Sequence, residues 1–227
     1  TRDFLINLKH MNFQIVIPAR KNSKRLAGKN LRLLNGKPLV QYSIEIAKQA
    51  FKNSVWVNSD DQDILDLSEK LEVNLLSRPK ELATDKTPTI DVLKYQLEYF
   101  KNNNIACDAI ILLQPTSPFR SLSLLQDCIK HFMNSRRDSL ATFSVIKKKL
   151  GNVKKNKFTP LNYIPGQRSQ DLDNLYYENG SIYISKCKSI SNNEIITKDV
   201  YPYLTNELLS SIDIDTIEDL EYAEFLI

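Results

Sequence analysis

Glycine is scarce in this chain, five in 227 residues, and none of the familiar glycine-rich phosphate loops is present. Both Gly-x-x-x-x-Gly-Lys-Ser/Thr and Gly-x-Gly-x-x-Gly are missing, which excludes a Walker loop and a dinucleotide fingerprint. Cysteine is equally sparse: Cys107, Cys128 and Cys187 are odd in number and without Cys-x-x-Cys spacing. That argues against a disulfide framework and fits reduced thiols in a cytoplasm. No apolar run approaches the roughly 18 residues needed to cross a bilayer, so membrane insertion is not expected. RNP strings, zinc-finger spacing and a basic zipper are all lacking, so nucleic acid is not an expected partner. Of the two histidines, His10 precedes the first strand and His131 falls within a helix, which leaves no imidazole placed for general base work. Residues 1–10 are too short for a signal peptide and lack a small-residue cleavage site. They read as an N-terminal extension ahead of Met11.

Acid is absent as well from one long stretch. No Asp or Glu occurs between Asp3 and Glu45, and that span carries Arg20, Lys21, Lys24, Arg25 and Lys29 directly after an apolar strand, Phe13 to Ile17. A cationic loop at the carboxyl end of a strand is where open α/β sheets bind ligands. Such a loop can be merely solvated. It can equally hold a triphosphate, with backbone N–H groups cradling oxygens while Arg and Lys offset a charge of roughly −4. The net charge of +4 is concentrated here and in Lys147 to Lys157, which holds six lysines, a clustering that suits an anionic ligand.

At this length one substantial core is expected. Strand and helix patterns alternate, as in a sheet of βαβ units with helices on both faces. Pro38 opens a helix carrying Val40, Ile44, Ala47 and Phe51 at helical spacing. Ser54 to Ser59 reads as a strand, followed by a helix with Ile64, Leu67, Ser68 and Leu71 on one face, and Val73 to Ser77 as the next strand. Thr87-Pro88 then caps and opens a helix whose inner face is Ile90, Leu93, Leu97 and Phe100. Ala109 to Leu113 is short and wholly apolar, as a central strand should be, so Gln114 to Arg120 forms a loop at the ligand edge. A helix over about Ser121 to Met133 and a strand over Leu140 to Val145 complete the alternation. From Ile146 to Asn179 periodicity fails, and this segment is expected to be a small excursion for substrate and subunit contact. Ser181 to Ser185 and Ser211 to Ile214 return as strands, and Thr216 to Leu226 as a helix with Ile217, Leu220 and Phe225 or Leu226 inward.

In Ser211-Ile-Asp-Ile-Asp-Thr216, strand alternation places Asp213 and Asp215 on one side. Two such carboxylates can hold Mg²⁺, which usually takes one or two of them plus substrate phosphates. Alternatively, Asp215 caps the last helix and Asp213 is solvated.

Five blocks in order, Pro18 to Asn30, Arg78 to Asp85, Leu112 to Arg120, Asn179 to Ile184 and Ser211 to Thr216, resemble the CMP-sialic acid synthetase (acylneuraminate cytidylyltransferase) family over nearly all of residues 13 to 226. The resemblance implies a Rossmann-like, three-layer α/β nucleotidyltransferase domain over residues 11–227 with a mainly parallel mixed sheet. It also implies a homodimer built by the 146–179 insertion. The implied reaction joins CTP and a nonulosonic acid, an acidic nine-carbon sugar, giving CMP-sugar and pyrophosphate with Mg²⁺ or Mn²⁺. Carried over by position, Arg20, Ser23, Lys24, Lys29 and Asn30 would hold CTP, with Arg78, Thr87 and Thr89 around the cytosine. Gln114, Arg168, Asn179 and Tyr183 would meet the sugar. Asp213 and Asp215 would hold the metal, and with Arg20 and Lys29 carry the chemistry.

Where the family often has Gly and Pro, this chain has Asn22 and Ala27. An Arg pair that the family frequently shows is reduced to Arg168 followed by Ser169, so the sugar carboxylate falls to Arg168 or to a lysine of 147–157. The acceptors left open are N-acetylneuraminate, legionaminate, pseudaminate and the eight-carbon Kdo, with Gln114 to Pro118 and Ser211 to Asp215 resembling the sialate-like group more than the Kdo enzymes. A nucleotide-sugar-dependent glycosyltransferase would place its Asp-x-Asp at mid-chain, and an inactive nucleotide-binding module would release no pyrophosphate.

Overall fold

A computed structural model describes residues 11–205 and 209–227. The N-terminal extension lies outside the described residues. In chain order the strands and helices are β1 (Phe13–Pro18), β2 (Leu33–Leu34), β3 (Lys37–Pro38), α1 (Leu39–Ala50), β4 (Val55–Ser59), α2 (Gln62–Lys70) and β5 (Asn74–Ser77). There follow α3 (Thr89–Asn102), β6 (Ala109–Leu112), α4 (Leu122–Ser135), β7 (Ser139–Ile146), β8 (Gly151–Lys154) and β9 (Lys157–Pro160). The chain ends with β10 (Leu175–Lys186), α5 (Cys187–Ser191), β11 (Tyr201–Leu204) and α6 (Ile217–Phe225).

Seven strands form one sheet in the order β11-β7-β10-β6-β1-β4-β5. Only β10 runs against its neighbours β6 and β7, while the pairs β1/β4, β1/β6, β4/β5 and β11/β7 are parallel. The central strands β1 and β6 are apolar because both faces are covered, except for Gln14, whose amide is satisfied by the Trp56 indole N–H and the Ala106 carbonyl. Phe13, Ile15 and Ile17 pack on one face with Ile44 of α1, Ile64 of α2 and Phe132 of α4. Val16 and Leu112 pack on the other with Leu93 and Phe100 of α3. The result is the three-layer α/β/α architecture expected, mixed and mainly parallel.

Several local expectations are corrected. Thr87 does not cap α3: Pro88 holds the cap position, and the Thr87 hydroxyl pairs instead with that of Thr84 at 2.7 Å. Residues 146–179 are not irregular throughout, since β8 and β9 form a hairpin and β10 already starts at Leu175. Its tight turn puts Lys155 and Asn156 at φ 47° and 60°. Gly151 sits so close beneath the Phe158 ring that any Cβ would collide with it. Ser211 to Ile214 is not a strand: a 3₁₀ turn covers Leu209–Ser211, and beyond it Ile214 N–H donates to the Thr116 carbonyl at 2.7 Å. In α6, Leu220 and Ala223 face inward, whereas Ile217 and Phe225 are exposed.

Candidate active site

A third, smaller apolar cluster assembles the site. It joins Leu26 of the basic loop, Leu34 of β2, Leu39 of α1, Ile214, and Leu220 and Ala223 of α6. Burying Leu26 against Ile214 brings the cationic loop and the Asp213/Asp215 segment together across nearly the whole chain. Asp215 then lies between Arg25 at 2.7 Å and Lys29 at 2.8 Å. It does not cap α6, because Thr216 does so in a reciprocal capping box with Asp219.

A second carboxylate, Asp85, does the same for the other half of the loop. It pairs with Arg20 and, at 3.3 Å, with Lys24. The Arg20 hydrogen bond, followed by that of Lys24, holds the Asp85 carboxyl below the usual carboxylate range. Asp85 was not singled out from sequence, although it closes the Arg78 to Asp85 block and is an acid facing a cationic loop.

The cleft itself opens at the carboxyl ends of the parallel strands, with a volume of about 160 Å³. It brings together Arg20, Lys29, Asn30, Arg78, Thr87, Thr89 and Gln114 of the sequence-selected residues, beside Pro115 and Thr116. Asn30 is buried and its amide donates to the Arg20 carbonyl at 2.8 Å, fixing the loop. Arg78 is nearly buried. Its guanidinium donates to the Asn58 side chain at 2.7 Å and the Asn58 carbonyl at 2.6 Å, and Asn58 in turn donates to Gln96 of α3 at 3.0 Å. Burial lowers the Arg78 pKa to about 10, opposed by nearby Asp60, so the group remains cationic.

A neighbouring cavity of about 220 Å³ shares Thr89 and Gln114 with the cleft and contains Tyr183. Burial, reinforced by Glu178, raises the Tyr183 phenol to about 12, so it is neutral at physiological pH. Asp213 lies near enough to feel both Asp215 and Lys29. Partial withdrawal from water raises its carboxyl, against a hydrogen bond to Thr116 and with Asp215 adding to the rise.

Other selected residues lie apart. Ser23, Lys24, Asp213 and Asp215 do not line the cleft: Lys24 is tied to its Arg20 through Asp85, Asp215 pairs with its Lys29, and Asp213 lines a separate depression with Asp219 and Tyr222. Asn179 is buried in the sheet: its oxygen accepts from Thr142 and Ser181 N–H, and its amide donates to Ser144 and Thr205. All four of its hydrogen-bonding positions are filled by protein, so the side chain does not meet a sugar within this arrangement. Arg168 is exposed and bidentate with Asp171 at 2.7 and 3.0 Å. Arg120, in the loop expected at the ligand edge, is buried and ties that loop to the sheet through the Gln114 and Ser181 carbonyls and the Ser43 hydroxyl. His131 packs on Tyr201 and Tyr203 of β11. A larger depression of about 340 Å³ around Asp138, Lys188 and Asp199 lies at the opposite end of the sheet, away from these groups.

Among the described residues no cluster of three or more metal-ligating side chains occurs. Two carboxylate side chains beside a cationic loop are nonetheless a donor set that fits Mg²⁺ when phosphates complete its shell.

Against known proteins, the sequence profile of the Cytidylyltransferase family matches residues 14–226. The chain belongs to the cytidylyltransferase family. It is 34% identical over 226 residues to the CMP-N,N'-diacetyllegionaminic acid synthase of Legionella pneumophila, covering 95% of this chain and 96% of that protein. It is 29% identical over 214 residues to the N-acylneuraminate cytidylyltransferase of Streptococcus agalactiae serotype III, covering 90% of this chain and half of that longer protein. Among solved structures, CMP:2-keto-3-deoxy-manno-octonic acid synthetase complexed with CTP superposes with a TM-score of 0.69 at 19% identity, covering 95% and 98% of the two chains. That likeness supports the nucleotidyltransferase fold. Membership of the CMP-sialic acid synthetase group, expected from five short blocks, is thereby borne out, and with it a CTP-dependent nucleotidyltransferase.

Proposed function

We propose that this cytidylyltransferase joins CTP to the anomeric hydroxyl of a nonulosonic acid, releasing pyrophosphate. The observation that carries this reading is a single cleft holding Arg20, Lys29, Asn30, Arg78, Thr87 and Thr89, which opens past Gln114 into a second cavity beside Tyr183. The first cavity suits a nucleotide. Arg78, fixed by Asn58, offers its remaining donors to the cytosine edge, while Arg20 and Lys29 meet the triphosphate. The second cavity suits the sugar, whose anomeric hydroxyl would enter at Gln114, in line with the α-phosphorus. Phosphoryl-type transfer of this kind is driven by positioning and by compensation of developing charge.

Lys29 and Arg20 are the groups placed to offset negative charge as pyrophosphate leaves. Asp213 and Asp215 would hold Mg²⁺, which when bound supplies charge neutralisation on the phosphates. Asp215 and Asp85 meanwhile keep the cations of the loop arranged before nucleotide arrives. Tyr183, neutral at working pH, serves as a hydrogen-bonding wall rather than as a base.

The functional unit is proposed to be a homodimer, the β8–β9 hairpin and its flank docking on a second copy. Val153, Phe158, Leu161 and Ile164 expose 49–75% of their surface there, and such apolar surface marks a partner. Exposed Arg168 would then reach the neighbouring subunit's cleft and add its charge to Arg20 and Lys29 around the sugar carboxylate. The reaction is proposed to run in the cytoplasm, where CTP is made. No helix among the described residues is long and apolar enough to cross a membrane. Pyrophosphate release from CTP, Mg²⁺ and a panel of nonulosonic acids tests the reading. Release with none of them, from protein that binds CTP, would overturn it.

A further inference from the structure

The acceptor cavity has two unlike ends. Thr89 and Gln114 stand where it meets the nucleotide cleft, while the remainder is walled by Leu112, Ile195 and Ile196, with Glu178 and Tyr183 as its polar members. The isoleucine wall is built in rather than incidental. Ile195 packs on the cluster containing Leu112 and Ile190, and its carbonyl accepts the Ser185 hydroxyl at 2.6 Å, which pins the segment after α5 to β10. Tyr183 stands beside Leu112 across the β10/β6 ladder, and its hydroxyl donates to Glu178 at 3.4 Å.

Charge fixes which way an acidic sugar can lie. The cavity is lined by one carboxylate, Glu178, and by no cation. The acceptor's own carboxylate is therefore repelled from it and drawn to the junction, where Arg20 and Lys29 line the adjoining cleft. In a nonulosonic acid the carboxylate is attached to the anomeric carbon. Holding it at the junction presents the reacting hydroxyl to the nucleotide and sends the far end of the sugar toward Ile195 and Ile196.

We propose that Ile195 and Ile196 are specificity-determining residues that select an acceptor whose tail is deoxygenated and N-acylated over one whose tail is polyhydroxylated. This rests on the cytidylyl-transfer reading above. A hydroxyl set against isoleucine loses its water without gaining a partner, whereas a methyl or acyl methyl buried there is stabilised. Glu178 accepts from an amide N–H, which an acylamino substituent supplies and a deoxygenated methyl does not need. Apolar walls discriminate against an added hydroxyl by factors up to about 10², which sets the scale to look for.

The test compares kcat/KM for N,N'-diacetyllegionaminate, which is 9-deoxy with two acetamido groups, and for N-acetylneuraminate, whose tail is a triol. The native protein should favour the first by tenfold or more. Ile195→Thr with Ile196→Thr should cut that ratio at least tenfold, mainly through KM for the sugar, with KM for CTP unchanged. Ile195→Val with Ile196→Val should keep the ratio and guards against misfolding of the Thr variant. Turnover of both acids with equal efficiency, or with N-acetylneuraminate preferred, would overturn this inference and leave cytidylyl transfer standing. A ratio untouched by the Thr substitutions in folded protein would also overturn it. No turnover with any nonulosonic acid would overturn the functional reading and this inference together.

Discussion

Replacing Asp215 by Asn separates a metal-holding role from a merely structural one. The two carboxylate oxygens sit 2.7 Å from Arg25 and 2.8 Å from Lys29, whose side chains are 65% and 12% exposed. The Arg25 pair is largely screened by water and is worth at most a few tenths of a kcal/mol. The Lys29 pair is better shielded: unit charges near 4 Å at an effective dielectric of about 20 attract by about 4 kcal/mol gross, most of which is cancelled by desolvation. A net loss of about 1 kcal/mol in folding stability follows, a fall of about 2–4 °C in Tm for a domain of this size. Freed of its carboxylate, Lys29 should bind a triphosphate better, so metal-free CTP affinity should rise about fivefold, the equivalent of 1 kcal/mol. Turnover with Mg²⁺ should nevertheless fall by about 10² or more, about 3 kcal/mol of transition-state stabilisation. Calorimetric titration of CTP in chelator and pyrophosphate release across a Mg²⁺ series measure the two arms. Near-native turnover with unchanged Mg²⁺ dependence would refute the metal role and leave Asp215 as an anchor for the loop.

Asp213→Asn should leave Tm at pH 7 unchanged or higher while turnover falls about 10² or more. A carboxyl whose pKa is raised by folding contributes stability below its ordinary pKa and loses it as pH rises through the raised value, so a neutral amide removes that penalty. Melting curves from pH 3 to 8 check this, and a drop of several degrees at pH 7 would contradict it. CTP should be preferred over UTP by about 10² or more, and Arg78→Lys should collapse that preference, because lysine cannot reproduce the fork held by Asn58; equal turnover of both nucleotides by the native protein would refute the assignment. Val153→Asp with Ile164→Asp should convert a dimer to a monomer by light scattering at micromolar protein, and a native monomer with full activity would remove the docking role of the hairpin.

What could be read from the chain followed burial. β1 and β6 were legible because a strand covered on both faces is almost wholly apolar, Gln14 being the one polar residue of the two, and α1, α3 and α4 because each buries one stripe. The β8–β9 hairpin was hidden by its turn: Lys155-Asn156 adopts two positive φ angles, a geometry that sequence normally announces with Asn-Gly or Asp-Gly. β11 carries Pro202, which looks like a strand breaker and is tolerated because β11 is the outermost strand. Ser211 to Ile214 misled in the other direction. Its alternation reflects Ile212 and Ile214 entering the third apolar cluster, and the segment anchors to the Thr116 carbonyl without joining a ladder. Arg20, Lys29 and Asn30 were legible as one wall of the cleft because their cationic and amide chemistry is spelled out in a single loop. Asn179 was misread because a buried amide serving four protein partners has the same letter as one serving a ligand.

Electrostatic balance explains why the two strongest signals in the chain, although far apart in sequence, make sense only together. Five cations on one loop would repel one another in the ligand-free protein, yet four of them are held by just two carboxylates, Asp85 and Asp215. Each carboxylate comes from outside the loop, one preceding α3 and the other preceding α6, so the loop's charge is balanced by two regions far apart in sequence. A triphosphate carries several negative charges and must compete with, or share, those same cations. Asp85 then has no further duty that the structure displays, whereas Asp215, beside Asp213, is positioned to exchange a cationic side chain for a metal ion. The same carboxylate would thus serve as the loop's counter-charge before binding and as the metal's ligand afterwards, which is why charge removal at Asp215 should tighten metal-free nucleotide binding while it slows turnover.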